Sequence, residues 1–509
     1  MAPVPAGQYF TIVWSLGDLG PYNLPAFYID RFEVTNRQYQ EFVEKGGYQK
    51  REYWKEKFLR DGKELSWEQA MDVFRDSTGR PGPSTWEAGH CPAGKADYPV
   101  GGVSWYEASA YAEFAGKSLP VIAQWFLAAP SAVAKYIMPL SNYSASPAPV
   151  GKYQGVGPLG TYDMAGNVAE WCRNESGGGA RYQLGGGFNT TTNEYFEPGG
   201  LPPFHRAANA GFRCVRNTAA LPAETIAERR QTIRDFSKAK PAPEAVFRVY
   251  KAMYAYDRAP LNAKLEKVAQ DSADWRKEKI TFDAAYGKER MAAYLFLPAH
   301  VRPPYQTVVF FPSARVLDIP NSETLGDMKF VDFVIQSGRA VLYPVFKGTY
   351  ERPAHFPGPD TVAGRETLIQ DSKDIGRSID YLETRTDIDR NRIGYLGVSM
   401  GAAHAVFFAA VEDRIKAVVM LDGGFYNEKP LPGADAVDFA PHLKAPTLLI
   451  AGKFDWIFLG KDALLRMLGA PAADRKAVTF DTAHDVSEQR ADLVREVLAW
   501  FDNYLGKVN

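Results

Sequence analysis

The chain has 509 residues, enough for two or three domains, and its 46% hydrophobic and 23% charged residues are ordinary for a soluble globular protein. A net charge of −1 offers no basic surface for nucleic acid, and three cysteines without a Cys-x-x-Cys pair give no sign of a disulfide framework or zinc site. No stretch approaches the ~20 apolar residues that span a bilayer, and the N-terminus lacks the basic and apolar regions of a secretory signal. We therefore expect no nucleic-acid partner, no membrane segment and a cytoplasmic location by default, although the abrupt start would fit a piece of a longer protein.

The chain divides by pattern into two halves and a segment between them. Residues 1–216 are rich in glycine, aromatic residues and loops, and show few long helical patterns. Residues 217–279 are predicted as a helical connector, because a charged helical stretch is broken at Pro241 and a second helix follows over residues 244–254. In residues 280–509 apolar strands alternate with amphipathic helices, which predicts a mostly parallel sheet with helices on both faces.

The N-terminal half carries five segments that match one family in order. They cover residues 27–39, 98–108, 116–120, 160–171 and 211–216, and include Asp-Met-Ala-Gly-Asn-Val-Ala-Glu-Trp and Gly-Phe-Arg-Cys-Val-Arg. Together these segments resemble the formylglycine-generating-enzyme (sulfatase-modifying factor) family. The resemblance implies an irregular α+β domain of C-type-lectin-like fold for residues 1–216.

The oxidising chemistry of that family is not expected here. Its oxidising members hold copper with a pair of cysteines between the glycine-rich turn and the final Gly-Phe-Arg, and residues 185–210 contain no cysteine. Cys172 and Cys214 lie outside that stretch, and a copper thiolate site needs paired soft ligands. The iron-binding relatives need clustered histidines, which His90 and His205 do not form. We predict a non-oxidising domain.

The resemblance also implies a calcium site in the loop of residues 163–170. The matching side chains are Asp163 and Glu170, with main-chain carbonyls such as those of Ala165, Gly166 and Val168. Hard oxygen ligands on a loop suit calcium. A metal-free, hydrogen-bonded turn remains the alternative.

The elements of the C-terminal half are predicted in chain order from apolar runs and helical spacing. Residues 280–282 and 291–297 read as a hairpin, and Leu368, Ile375 and Ile379 give helical spacing within residues 365–383. The further strands and the last helix are predicted at residues 307–311, 340–343, 392–396, 417–421, 445–452, 476–480 and 493–504.

The most specific motif is Gly-Val-Ser-Met-Gly at residues 397–401. It follows an apolar strand and precedes a helix of small residues, so Ser399 lies at the apex of a strand–turn–helix. Serine is a weak nucleophile at neutral pH and needs a neutral imidazole to take its proton and a carboxylate to orient that imidazole. The motif by itself is short, and its interpretation depends on a base and an acid that follow it.

An acid and a base follow Ser399 in the order that the α/β-hydrolase fold requires. Asp455 comes just past the strand of residues 445–452, and His484 comes just past the strand of residues 476–480. Asp422, at the end of the preceding strand, could supply the acid instead; Asp455 is preferred because this fold usually places the acid past the later strand. The other histidines considered for the base are His404, expected to pack within its helix, and His355 and His442, in proline-rich loops.

Two backbone amides are predicted to bind the oxyanion. One belongs to Met400, the residue after the nucleophile. The other belongs to the loop that follows the strand of residues 307–311, and Ser313 or Ala314 is the expected donor. The His-Gly pair usual at this loop is absent, and an ordinary turn remains the alternative.

The serine motif, Asp455 and His484 give residues 280–509 a resemblance to the dienelactone-hydrolase and prolyl-oligopeptidase-like branch of the α/β-hydrolases. The resemblance implies acyl transfer through an acyl-serine with no cofactor required. Only residues 422–444 separate two predicted strands where a cap could be inserted, so we expect an open site and small acyl or aryl esters as substrates. The N-terminal half is expected to wall the site or to bind the remainder of a carbohydrate or polymeric ester.

Three other functions stay open from the sequence. A serine peptidase would use the same three residues, but its relatives usually carry a β-propeller, and no blade-length repeat is present. Both halves could instead be non-catalytic recognition modules of a larger signalling protein. A formylglycine oxidase would require copper despite the missing cysteine pair.

Overall fold

The computed structural model describes residues 1–508 except 14–15, 61, 191, 196–197, 231–233, 270–271, 354–357, 359, 454, 456 and 459. The chain forms two compact units, Met1–Thr232 and Ile233–Asn509. Among the described residues, no helix combines the length and the apolar character needed to cross a membrane.

The N-terminal unit is built from short strands in small sheets. A three-stranded sheet has the order β1-β4-β11, a four-stranded sheet has the order β10-β7-β8-β9, and two hairpins pair β2 with β3 and β5 with β6. The strands are β1 Ala2–Val4, β2 Gly7–Val13, β3 Gly17–Leu24, β4 Phe27–Ile29, β5 Leu59–Arg60, β6 Lys63–Glu64, β7 Ala169–Gly177, β8 Ala180–Leu184, β9 Gly199–Leu201, β10 Ala210–Gly211 and β11 Val215–Asn217.

In the described part of this unit there are six α-helices, and three of them begin at a capping box. Thr35, Ser66 and Ser104 each accept a hydrogen bond from the amide three residues on, whose Gln or Glu side chain bonds back. The helices are α1 Asn36–Glu44, α2 Trp67–Val73, α3 Trp105–Phe114, α4 Ile122–Ala128, α5 Ala134–Ile137 and α6 Ala223–Ile226. Short strands, short helices and long loops confirm the irregular α+β prediction.

The C-terminal unit contains one nine-stranded sheet in the order β12-β13-β14-β16-β15-β17-β18-β19-β20. Strands β12, β13, β14 and β16 pair antiparallel, and pairing is parallel from β16 to β20. The strands are β12 Lys264–Ala269, β13 Trp275–Asp283, β14 Arg290–Pro298, β15 Tyr305–Phe311, β16 Ala340–Pro344, β17 Ile388–Val398, β18 Ile415–Leu421, β19 Thr447–Gly452 and β20 Arg475–Phe480.

Helices cover both faces of this sheet, as an α/β-hydrolase fold requires. The helices are α7 Glu244–Met253, α8 Asp332–Gln336, α9 Val362–Glu383, α10 Met400–Val411, α11 Ala436–Phe439, α12 Lys461–Met467 and α13 Arg490–Tyr504. Leu368 and Ile375 of α9 belong to the core on one face, and Val334 of α8 and Leu493 of α13 belong to the core on the other. The predicted mostly parallel sheet is therefore confirmed.

The predicted helical connector over residues 217–279 is wrong in its second part. Helices α6 and α7 lie in it, but β12 and most of β13 follow as strands of the large sheet. Phe247 of α7 is buried against Phe439 at 5.3 Å between ring centroids, so α7 belongs to the C-terminal core as well. The C-terminal fold thus begins well before residue 280.

Candidate active site

Ser399 occupies a tight turn between β17 and α10. Its backbone has φ 51° and ψ −108°, a conformation that non-glycine residues rarely adopt, and its amide donates to the Leu421 carbonyl at 2.8 Å. Met400 directly after it is the first residue of α10. The turn therefore holds the serine hydroxyl at the carboxyl end of the central strands.

The glycines on either side of Ser399 are required by close backbone contacts. A Cβ on Gly397 would lie 2.4 Å from the Gly401 carbonyl carbon and oxygen, and a Cβ on Gly401 would lie 2.3 Å from the Phe311 carbonyl oxygen. Real Cβ atoms do not tolerate such distances, so the spacing Gly-x-Ser-x-Gly follows from the packing of α10 against β15 and β17.

The structure brings Asp455 and His484 to Ser399. His484 Nε2 lies 2.9 Å from Ser399 Oγ, and His484 Nδ1 lies 3.1 Å from Asp455 Oδ1. The His484 side chain is 6% exposed and that of Asp455 is fully buried. Asp455 follows β19 and His484 follows β20, so parallel strands deliver both to the edge where β17 ends.

Asp455 is held as a carboxylate despite its burial. Burial by itself raises the pKa of Asp455, but the charge and hydrogen bond of His484 and the charge of Lys461 outweigh it, so its pKa lies below the usual value. Asp455 Oδ1 also accepts from the Ile457 amide at 2.9 Å. An ionised acid behind the imidazole is what a general base at His484 needs.

Asp422, the alternative acid, also lies close to Asp455 and His484. It directly follows β18, has φ 50° and is 1% exposed. Carboxylate oxygens of Asp422 and Asp455 and a ring nitrogen of His484 lie within 4.8 Å of one another, and among the described residues these three form the one such group of possible metal ligands. Burial and the Asp455 charge raise the pKa of Asp422 to about 7, against the opposing effect of His484.

The loop after β15 lies beside the Ser399 turn, because Phe311 pairs with Gly397 in the parallel register. Met400 begins α10, and Ala314 begins a short 3-10 helix, Ala314–Asp318; the first amides of a helix have no partner within the helix. Ser313 does not suit the predicted donor role, since its amide already donates to Asp327 Oδ2 at 2.8 Å. The backbone amides of Met400 and Ala314 therefore remain the predicted donors to the oxyanion.

The remaining histidines considered for the site have other surroundings. His404 is buried in α10, with Nδ1 3.8 Å from Asp371 Oδ2, and burial lowers the pKa of His404 to about 3. His442 stacks on Phe247 with ring centroids 3.4 Å apart. His355 lies outside the described residues.

The side chains of Asp163 and Glu170 do not suit the calcium site that the resemblance implies for the N-terminal unit. Both Glu170 oxygens bond to the buried Arg213, at 2.6 and 2.7 Å, and Oε2 also accepts from Trp125 Nε1 at 2.8 Å. Asp163 Oδ2 accepts from the Gly151 amide at 2.6 Å. Glu170 is thus neutralised by a guanidinium group that a calcium ion would have to displace, and the hydrogen-bonded turn is the better description.

The cysteines of the N-terminal unit offer no reactive thiol pair. Cys172 and Cys214 are buried, and burial raises the pKa of both well above the usual value. Thiols of this kind are inert. Cys91 is partly exposed and free.

In comparisons with known proteins, each half of the chain matches a different family model. Residues 17–218 match the sulfatase-modifying factor enzyme 1-like domain, and residues 291–484 match the dienelactone hydrolase family. The second match includes Ser399, Asp455 and His484. The chain therefore joins a sulfatase-modifying-factor-like domain to a dienelactone-hydrolase-like, hence hydrolase-class, domain.

Curated relatives match part of the chain. The chain is 28% identical over 270 residues to formylglycine-generating enzyme of Thermomonospora curvata, covering 39% of this chain and 84% of that protein. It is 34% identical over 159 residues to serine/threonine-protein kinase pkn1 of Chlamydia caviae and 32% identical over 173 residues to hercynine oxygenase of Mycobacterium tuberculosis. Each of these two matches covers 29% of this chain; they span only 23% of the kinase and 38% of the oxygenase.

Solved structures similar to the chain include two esterases. Acetyl xylan esterase from Paenibacillus sp. R4 matches 52% of this chain and 97% of its own, with 18% identity and a TM-score of 0.42. A glucuronoyl esterase from Solibacter usitatus matches 49% of this chain and 91% of its own, with 15% identity and a TM-score of 0.36.

Proposed function

We propose that the C-terminal unit is a serine carboxylesterase that works through an acyl-serine intermediate. The observation that carries this proposal is the continuous chain of contacts from Ser399 Oγ through both ring nitrogens of His484 to Asp455, at 2.9 and 3.1 Å. A nucleophile bonded to a base, with the base oriented by a third group, is the arrangement that acyl transfer requires.

The proposed reaction has two halves. In the first, Ser399 Oγ attacks the ester carbonyl carbon while His484 Nε2 takes the hydroxyl proton, and the amides of Met400 and Ala314 donate to the oxyanion. The tetrahedral intermediate collapses, the C–O bond to the alcohol breaks, and His484 returns its proton to the leaving oxygen. In the second half, His484 deprotonates a water molecule that attacks the acyl carbon. The bond from this carbon to Ser399 Oγ then breaks, His484 returns its proton to Oγ, and the acid is released.

These steps need no cofactor, because three side chains and two amides supply the nucleophile, the base, its orienting acid and the oxyanion donors. Between β18 and β19 the chain forms α11 and one short 3-10 helix, Ala440–His442, rather than a cap domain. This short connection supports small acyl or aryl esters as substrates. We propose that the sulfatase-modifying-factor-like unit recognises the remainder of a larger ester, such as a carbohydrate or polymer.

Replacing Ser399 with Ala tests the proposal. Hydrolysis of p-nitrophenyl acetate should fall by about 10⁴-fold or more, because the nucleophile is lost, and labelling by a fluorophosphonate probe should disappear. The melting temperature should change little, since alanine keeps the Cβ and the backbone conformation and removes only the hydroxyl. Ser337→Ala is the matched control, because Ser337 lies at the C-terminus of α8, before β16 begins.

Two outcomes would contradict the assignment. Undiminished hydrolysis by the Ser399→Ala variant would exclude Ser399 as the nucleophile. A wild-type protein that neither hydrolyses esters nor reacts with the probe would favour a recognition module instead. A parallel panel of chromogenic peptides distinguishes an esterase from a peptidase with the same three residues.

A further inference from the structure

We propose that Asp422 is a positioning residue of this site, which holds the loops of Asp455 and His484 together and shares one proton with Asp455. The proposal rests on the proposed esterase function. It assigns a role to a buried carboxyl group that the reaction scheme above does not use.

Asp422 is bonded to both loops that carry the acid and the base. Its Oδ2 accepts from the Val486 amide at 2.9 Å, and its Oδ1 accepts from the Gly452 amide at 3.3 Å. Gly452 ends β19 three residues before Asp455, and Val486 follows His484 by two residues. The Asp422 side chain thus holds the loop that carries Asp455 and the loop that carries His484 in place. Both are held against the end of β18, the strand that pairs with β17 before the Ser399 turn.

Asp455 has an oxygen that this arrangement can satisfy. Asp455 Oδ2 is buried and has no hydrogen-bond partner among the described residues, while Oδ1 faces His484 and the Ile457 amide. A buried carboxylate oxygen without a donor is costly, commonly about 1–3 kcal/mol or more. Each Asp422 oxygen already accepts one amide hydrogen bond and has one lone pair left. A proton bound at that second lone pair could be donated toward Asp455, since oxygens of the two carboxyl groups lie within 4.8 Å of each other.

The charges around Asp422 favour one proton on the pair. Burial has the largest effect on the pKa of Asp422 and raises it, Asp455 and Asp485 raise it further, and His484 lowers it, which gives a value of about 7. Two carboxylates this close in a buried site do not both ionise readily.

The more distant charged groups are already engaged. Asp485 is paired with Lys329 at 2.7 Å, and Lys461 lowers the pKa of Asp455. Lys453 lies 4.0 Å from Asp481, and both of these side chains are largely exposed. The ionisation of Asp422 is therefore coupled chiefly to Asp455 and His484.

This pairing has a consequence for the reaction. Below neutral pH the two carboxyl groups carry one negative charge, and Asp422 donates to Asp455. Above neutral pH the proton leaves to solvent, and a second negative charge beside His484 stabilises the imidazolium that forms in each transition state. The pH dependence of the rate should therefore show the ionisation of Asp422 in addition to that of the base, His484.

The test is the pH dependence of kcat/KM for p-nitrophenyl acetate between about pH 5 and 9. In Asp422→Asn the added ionisation should vanish, the acid limb should move to lower pH, and the plateau should fall about tenfold in kcat with little change in KM. Asp481→Asn is the matched control, because it removes an exposed carboxylate three residues before His484. A profile for Asp422→Asn that keeps the wild-type shape would overturn the proposal.

A second comparison separates positioning from a general loss of structure. Asp455→Asn should keep measurable turnover through Asp422, and the double variant with Asp422→Asn should lose about a further tenfold or more. Equal rates in the single and double variants would contradict a role for Asp422 at His484.

An infrared titration keeps the proposal testable if Asp422→Asn fails to fold. Burial also raises the pKa of Glu33 and Asp371 well above the usual value, so the titration is carried out in a protein with Glu33→Gln and Asp371→Asn. That protein should still show a buried carboxyl group that deprotonates near neutral pH, and absence of such a group would overturn the shared proton. This measurement needs no substrate, so it remains decisive even if the wild-type protein hydrolyses no ester, a result that would sink only the esterase assignment.

Discussion

The backbone of Ser399 stores strain at the reacting atom. A non-glycine residue at φ 51° and ψ −108° costs on the order of 1–3 kcal/mol and persists only when its surroundings determine it. Here the surroundings are the Leu421 carbonyl, which binds the Ser399 amide, and two glycines that let the neighbouring backbones approach. The strain exposes the hydroxyl to His484 while the rest of the turn is buried.

Replacing Gly401 with Ala tests this packing. The new Cβ would meet the Phe311 carbonyl at 2.3 Å, and because backbone cannot move like a flexible side chain, the free energy of unfolding should fall by about 3 kcal/mol. Urea unfolding followed by circular dichroism measures the change. Gly7→Ala is the control, since its Cβ would have only ordinary 3.5 Å contacts with Tyr9, and a similar loss in both variants would argue against the backbone clash.

For single residues, the sequence predicts which side chains belong to the candidate site better than it predicts their contacts. Ser399, Asp455 and His484 are recognisable because each follows an apolar strand in the required order. Asp422 also follows a strand, so the sequence predicts it as an alternative to Asp455. Only the structure shows that both carboxyl groups lie close to the His484 imidazole. Ser313 is the weaker of the two predicted loop donors, because its amide donates to Asp327, which lies on a separate loop that no sequence pattern connects to it.

Among the elements, α10 is the helix on which the site depends most. Eleven of its twelve residues are buried, and small residues such as Ala402 and Ala405 allow close contact with β17 and β18. A polar side chain in such a helix must stay neutral or be paired. His404 meets this condition through a strongly lowered pKa.

The burial of His404 predicts a stability that depends on pH. Its folded-state pKa of about 3 lies below the ordinary value of about 6.5, so the unfolded chain binds a proton that the folded chain does not. The resulting stability is complete above about pH 6.5 and is lost as the pH falls toward 3.

The variant His404→Phe should reduce this dependence. The wild-type free energy of unfolding should drop by about 2 kcal/mol more than that of the variant between about pH 7 and pH 5. Urea titrations at the two pH values measure the difference, and Phe preserves ring packing against Phe311 and Phe408. Parallel losses in the two proteins would show that His404 is accessible to protons in the folded state.

The elements that were predicted poorly share a physical cause. Strands β15, β16, β18 and β19 are largely buried and apolar, so their positions could be predicted from the sequence. Strand β12 has five exposed residues out of six and a charged sequence, Lys-Leu-Glu-Lys-Val-Ala, which carries no alternation between a buried and an exposed face. Its pairing with β13 is set by the sheet, so the sequence of β12 by itself gives no strand signal.

At the scale of the whole molecule, the two units should be separable. The fragment of residues 233–509 keeps α7, the complete sheet and all of the proposed catalytic residues. It should fold and hydrolyse p-nitrophenyl acetate within a few-fold of the full chain, while its KM for a polymeric ester should rise if the N-terminal unit binds the remainder of the substrate.

The control fragment begins at residue 280, the boundary that the sequence suggested. It lacks α7, β12 and half of β13, which uncovers buried residues such as Phe407 and Ile280, and it should be insoluble or inactive. Thermal melting and esterase assays compare the two fragments. A stable, active 280–509 fragment would show that the edge strands are dispensable.

The edges of the large sheet have a consequence for how copies of this chain meet. An outermost strand presents unpaired amides and carbonyls on which a strand of a second molecule can assemble, a common route to aggregation. Strand β12 at one edge exposes Lys264, Glu266 and Lys267, and β20 at the other carries Arg475 and Lys476. Lysine and other charged side chains on an edge strand disfavour the addition of a further strand, so both edges of this nine-stranded sheet carry side chains that oppose such assembly.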